Sequence, residues 1–237
     1  MSKGRLIFVA AAIVGAVTTA VLSQAIQVDS RTATDADSTV YASVKIGDQW
    51  WMAENLRATH YRNGDPVPRI TDNAQWAALT TGACSEYDNA AGHVAAYGRL
   101  YNAYAVRDSR GLCPQGWHVP TDEEWKQLEM FLGMSSSEAN KMTAWRGKNE
   151  GQLLKSADFG GDNKAGFGAR GSGYRDPKGI YRAEHADNNY WTATTFDNNG
   201  SVESILHGLT RRTPTIVRNF HVQTYGFSVR CMRLDDG

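Results

Sequence analysis

Residues 116–125, GWHVPTDEEW, put two tryptophans, a histidine and three successive acids (Asp122, Glu123 and Glu124) into ten positions. A histidine beside acids is active-site material, and hydrolysis needs a pair of carboxylates across a cleft or an activated nucleophile. The same residues also have an architectural reading. Thr121 followed three positions later by Glu124 is a capping box: the hydroxyl accepts from the Glu124 N–H, and the carboxylate accepts from the N–H of Thr121. Asp122 and Glu123 then fall in the first helical turn, where each charge meets the positive helix end for about 0.3–1 kcal/mol. Trp125, Leu128, Phe131 and Leu132 follow at helical spacing as a buried stripe, and Gly133 is placed to end the helix. The acids are therefore expected to serve the fold rather than catalysis.

Other chemistry-bearing residues are scattered. The serines have no nucleophile-elbow context, and GSGYR (171–175) does not open an evident helix that could cradle a phosphate. The six histidines, His60, His93, His118, His185, His207 and His221, occur singly, as surface or packing histidines do. Asp158, Asp162, Asn163, Asp187, Asn188, Asn189, Asp197 and Asn198 would suit a hard cation such as calcium if loops gathered them. These residue types also cluster because they make turns, so no cofactor is expected, with calcium as the alternative.

The chain's 237 residues, with 41% hydrophobic content, suit one large or two small globular domains. Lys plus Arg equal Asp plus Glu at 25 each, so no summed positive field draws nucleic acid, which is excluded as a partner. Lys3 and Arg5 precede an apolar run from Leu6 to Leu22 and a small-x-small Ser23-Gln24-Ala25, the pattern of a secretory signal over 1–25. A membrane enters only if that segment is an uncleaved anchor; otherwise the chain is expected to be secreted or held in the cell envelope. Residues 26–39 read as a polar linker, and the domain as 40–237.

Export favours paired thiols. In YGFSVRCMRL, Phe227, Val229 and Cys231 share a strand face, which aims the sulfur into the core, and Cys113 lies just before the opening motif. Cys113 and Cys231 are the expected disulfide, worth about 4–5 kcal/mol in the chain-entropy model. Cys84 is left over and reads as a buried free thiol. Alternation from Val40 to Ile46, a Gly47-Asp48 break and then QWWM predict a hairpin. Ser135 with Glu138 predicts a second helix to about Trp145, and Gly151 to Ala157 a short turn of helix. From Asp158 to Gly200 the Gly, Asp and Asn content predicts a long folded loop region with short strands, and 201–234 a closing antiparallel sheet.

Six segments together carry a family resemblance: VKIGDQWWMAENLRATHYRNGDPVP, YGRLYNAYAV, GLCPQGWHVPTDEEWKQLEMFLG, NKAGFGARGSGYRD, YWTATT and YGFSVRCMRL. In order and spacing they resemble the Fibrobacter succinogenes major paralogous domain family from about Val40 to Leu234. That family is similar, more distantly, to the formylglycine-generating group and the C-type lectin-like fold. The resemblance implies an α+β, C-type lectin-like fold: two helices, a small twisted antiparallel sheet and a long irregular loop region used for ligands. It implies no particular activity. Two departures stand out: Ala169-Arg170-Gly171-Ser172-Gly173 replaces the usual Leu-Pro-Gly-Gly before Tyr174-Arg175, and Trp191-Thr192-Ala193-Thr194-Thr195 lacks the usual final acid.

Copper oxidase chemistry of the formylglycine-generating type needs two nearby cysteines late in the chain, where only Cys231 lies. The clustered His-x3-His-x-Glu pattern of related iron enzymes is missing, as are the calcium motifs of sugar-binding C-type lectins. A non-catalytic binding or adhesion module for polysaccharide or a cell-surface protein is the expected function, since aromatic faces stack on sugars while Arg, Asn and Asp take hydroxyls. Arg175, Asp187, Asn189, Tyr190 and Trp191 are the expected ligand residues, with Arg218 and His221 as walls; core packing is the competing role for Tyr190 and Trp191. A metal-dependent enzyme with an unrecognised site and a hypervariable lectin-like receptor are the alternatives.

Overall fold

Two pairs of adjacent aromatics, Trp50-Trp51 and Tyr190-Trp191, set the architecture, because neighbours on a strand point to opposite faces. Trp50 and Trp191 enter one buried cluster with Tyr41, Tyr101, Phe227 and the Cys113–Cys231 disulfide. Trp51 and Tyr190 enter a second with Trp125, Leu128, Phe167 and Ile216. Strands carrying such pairs must be covered on both sides. The chain achieves this with a mixed α/β fold of few helices and sheets that include a curled half-barrel.

The computed structural model describes residues 31–235. The expected signal or anchor over 1–25 lies outside the described residues. Among the described residues no helix is long and apolar enough to cross a membrane. The strands are β1 (Thr32–Thr34), β2 (Val40–Ile46), β3 (Gln49–Met52), β4 (Cys84–Ser85), β5 (Leu100–Asn102), β6 (Ala144–Arg146), β7 (Ser172–Arg175), β8 (Tyr181–Glu184), β9 (Asp187–Asn198), β10 (Ser201–Thr210), β11 (Ile216–His221), β12 (Gly226–Phe227) and β13 (Met232–Leu234). The helices are α1 (Asn73–Ala77), α2 (Val94–Tyr97), α3 (Ala103–Val106), α4 (Asp122–Phe131), α5 (Ser136–Ala139) and α6 (Glu150–Leu154).

Among the described residues one sheet runs β1-β2-β3-β13 and brings the two ends of the domain together. The predicted β2–β3 hairpin forms with Ile46 opposite Gln49, which leaves Gly47-Asp48 as a two-residue turn. The stretch read as a linker is partly structured: Thr32–Thr34 pairs with Val40–Ala42, and Asp35 accepts from Tyr41 Oη at 2.6 Å and from the Thr39 N–H. The larger sheet runs β4-β5-β12-β7-β9-β10-β11-β6, with β8 on β7.

The helix at the opening motif forms with both halves of its capping box. Trp125 and Leu128 are buried as expected, whereas Phe131 is 47% exposed and packs over Gly47 at the surface. The second predicted helix stops at Ala139, and 144–146 becomes strand β6 on the sheet edge. Pairing with β11 overrides local helix propensity there. The segment 187–198, expected within the loop region, is instead a twelve-residue strand. It joins β10 through Asn199-Gly200, whose φ values of 54° and 86° are what a tight two-residue hairpin turn needs. Cys84 is the free cysteine and is buried.

Candidate functional site

Three segments far apart in sequence enclose a cleft of about 310 Å³, at the small end of ligand sites. The first is Ala53–Arg57, just after β3. It is held by bonds from the Ala53 N–H to Ala42 O (2.8 Å) and from the Leu56 N–H to Val229 O (2.8 Å). The second is α2, which ends at Gly98 with φ 74°. A Cβ at Gly98 would lie 2.6 Å from Asn55 Cβ and 2.8 Å from Leu56 O, so only glycine lets these two walls meet.

The third wall is the loop 156–169, closed at its neck by Ser156 N–H and Oγ, both donating to Ala169 O at 2.9 and 2.8 Å. It is an Ω-loop packed by its own side chains: Phe159, Ala165 and Phe167 enter the second core cluster. Asn163 organises the interior, its Oδ1 accepting the Gly168 N–H at 2.7 Å. Beneath the loop, buried Lys155 donates to Thr210 O (2.9 Å) and Thr213 O (2.8 Å). Burial lowers the Lys155 pKa. The loop is therefore a fixed wall, already in place before any ligand arrives.

Arg230 forms the floor at 1% exposure. Its guanidinium stacks 4.2 Å from the Phe167 ring and donates to Asn55 Oδ1 (Nε, 3.2 Å), Met52 O (3.2 Å), Phe167 O and Tyr190 Oη (3.4 Å). Burial pushes its pKa down. At the rim, Glu54 and Arg57 pair at 2.8 Å. Arg170 is half exposed, and its nearest carboxylate oxygen, on Asp158, is 3.8 Å away.

The residues singled out in sequence sit elsewhere. Arg175 is fully buried: its Nε donates to Gly179 O, its Nη1 to Ile70 O, and its Nη2 faces Thr71 O, Asp72 O and Asn73 Oδ1, while its plane lies between Trp76 (4.4 Å) and Tyr181 (4.9 Å). It locks the 70–73 segment to the β7–β8 hairpin. Tyr190 and Trp191 are at 0% exposure, the Trp191 indole donating to Tyr101 O at 2.9 Å. Asp187 and Asn189 are half-buried on β9, opposite Thr210 and Gly208. His221 stacks on Tyr225 at 4.5 Å, and burial lowers its pKa. Tyr225 also stacks on Phe227, and Tyr174 packs on both rings.

Arg218 belongs to a buried ionic network under α4. Its Nε donates to Asp122 Oδ1 at 2.7 Å and its Nη2 to Asp122 Oδ2. His207 Nε2 is 3.0 Å from Asp122 Oδ1 and its Nδ1 2.6 Å from Glu129 Oε1; Arg146 donates to Glu129 Oε1 at 2.8 Å. The His207 ring stacks on Trp125 at 5.1 Å. Burial alone would raise the Asp122 pKa, but the bonds from His207 and Arg218 hold it well below the usual range. Asp122 thus does more than answer the helix dipole: it fastens α4 to β10 and β11.

Glu124 completes the capping box and also lies 2.8 Å from His118 Nε2. Burial would raise its carboxyl, yet His118 and the Thr121 N–H hold it low. Of the candidate calcium ligands, Asp162 accepts the Lys164 N–H, Asp197 the Gly200 N–H, and Asn188 donates to Arg170 O, which are turn and strand duties. Among the described residues no group of three or more His, Cys, Asp and Glu side chains is arranged to hold a metal ion.

A family model described as the Fibrobacter succinogenes major domain matches residues 44–233. No curated protein and no solved structure matches the chain.

Proposed function

Starting from a chain that belongs to the Fibrobacter succinogenes major domain family, we propose an exported, non-catalytic binding module that takes a saccharide in the cleft between Ala53–Arg57, α2 and the 156–169 loop. One observation carries the reading: a concave, polar cleft whose walls are fixed by backbone hydrogen bonds and by core-anchored Phe159 and Phe167. A wall that needs no ordering on binding keeps the entropic cost of recognition low. The donors and acceptors around it, Glu54, Arg57, Asn163 and Arg170, suit hydroxyl-rich ligands. The position at a long loop, with β3 and β13 joining the ends of the domain, supports a C-type lectin-like assignment for the fold. Export is supported by the apolar run and small-x-small motif near the N-terminus.

A glycan array probed with the purified chain tests this reading. Binding to a defined set of glycans, weakened by Gly98→Ala, is expected; an array without binders, or binding indifferent to that substitution, overturns it.

A further inference from the structure

We infer that the cleft receives the acidic group of an anionic saccharide, one bearing a carboxylate or a sulfate, seated against Arg170 above the buried Arg230. This rests on the reading of the cleft as a saccharide site and narrows its ligand class.

The charge distribution motivates it. The chain as a whole is balanced, with 25 basic and 25 acidic residues. The charged residues lining the cleft are not: Arg57, Arg170 and Arg230 stand against Glu54 alone. Glu54 and Arg57 pair at 2.8 Å, and the Glu54 charge also reaches Arg230, so a single lining acid is shared among three cations. Arg230 is the most telling of them. A buried charge is ordinarily compensated by an opposite one, yet the acceptors around this guanidinium are an asparagine oxygen, two backbone carbonyls and a tyrosine hydroxyl, all neutral. An anion in the cleft would add to the distant charge of Glu54 a counter-charge placed where the low dielectric makes it count. Since its N–H groups are engaged, Arg230 acts through its field.

Direct hydrogen bonds fall to Arg170. Its backbone is tied down, its carbonyl accepting from Asn188 Nδ2 at 2.7 Å and from the Ser172 N–H at 2.9 Å. Its side chain is held only loosely by Asp158 at 3.8 Å, beyond direct hydrogen-bond length. A guanidinium of this kind can present paired donors to a carboxylate or sulfate. With its Oδ1 taken by Gly168, Asn163 keeps its NH2 group to donate to a neighbouring hydroxyl.

The test is calorimetric titration of the full chain, at low and high salt, with oligogalacturonate, sulfated galactose oligomers and neutral galactose oligomers. The expected result is binding of at least one acidic series, weakening with salt, with neutral oligomers at least about tenfold weaker and Arg170→Gln reducing acidic binding by about tenfold. Arg170→Lys should recover part of it. Neutral oligomers binding as tightly as acidic ones would overturn this inference and leave the saccharide reading standing. Acidic binding unaffected by Arg170→Gln would place the site elsewhere and overturn it as well. No binding in any series would overturn this inference, and an array without binders would remove the saccharide reading with it.

Discussion

Replacing Asp122 by asparagine changes one oxygen for an NH2 group in the buried network. Asp122 accepts two bonds from Arg218 and one from His207, with Arg218 at 8% exposure and His207 at 0%. Asparagine offers one acceptor atom, and its NH2 group would face a guanidinium or imidazole N–H. Removing one partner of a buried ion pair costs about 3–5 kcal/mol, because the other charge is left uncompensated. The first-turn dipole contribution, about 0.3–1 kcal/mol, goes too. For a domain of this size the loss corresponds to a Tm fall of roughly 6–20 °C. The assay is urea unfolding followed by tryptophan fluorescence, with Glu123→Gln as control. Glu123 is 60% exposed and, among the described residues, pairs with Lys126 alone, so that change should cost less than about 1 kcal/mol.

The pH dependence carries a sign. Hydrogen bonds from His207 and Arg218 outweigh the opposing effect of burial and keep the folded-state Asp122 pKa below 3.8. Its stabilisation is therefore fully present above about pH 4–5 and is lost as pH falls through the depressed folded value. The gap between the natural chain and Asp122→Asn should narrow in acid as the Asp122 carboxylate is protonated. A destabilisation under about 1 kcal/mol at pH 7, or a gap that widens in acid, would refute the network as described.

Other consequences are simpler to check. The Cys84 thiol is pushed up to about 12 by burial, so at pH 8 only about one in ten thousand is thiolate; alkylation should need denaturant, and rapid labelling of the folded chain would contradict this. Replacing Cys113 and Cys231 together by alanine opens a bridge between residues 118 apart and should cost about 2–5 kcal/mol in the same urea assay. Gly98→Ala forces a Cβ against Asn55 and Leu56 at positive φ and should cost about 1–3 kcal/mol while distorting the cleft.

Features built from near neighbours were readable in the sequence. The capping box spans three positions, the β2–β3 hairpin announces itself by alternation and Gly47-Asp48, and the face of Cys231 follows from period two. Phe131 shows the limit of helical spacing: it lies at the margin of the stripe, and the spacing does not tell a core contact from a surface one over Gly47. Asn199-Gly200 is a strong hairpin signal, but it is embedded in a segment whose Asp and Asn content reads as loop. Long-range features left no local mark. Asp122 meets His207 and Arg218 across 85 and 96 residues, and nothing near Arg175 indicates that carbonyls about a hundred positions earlier will occupy it. The cleft joins three segments from residue 53 to residue 170, with Gly98 as the one local hint of close approach.

Hydrogen–deuterium exchange of the full chain, alone and with oligogalacturonate or sulfated galactose oligomers, tests the central claim most directly, since it reports where a ligand sits. Protection should appear in peptides covering Ala53–Arg57, Gly98 and Asn163–Arg170, and in Arg170→Gln should need about tenfold more ligand to reach the same level. Protection centred on His221 and Tyr225, or none at saturating ligand, would contradict the account.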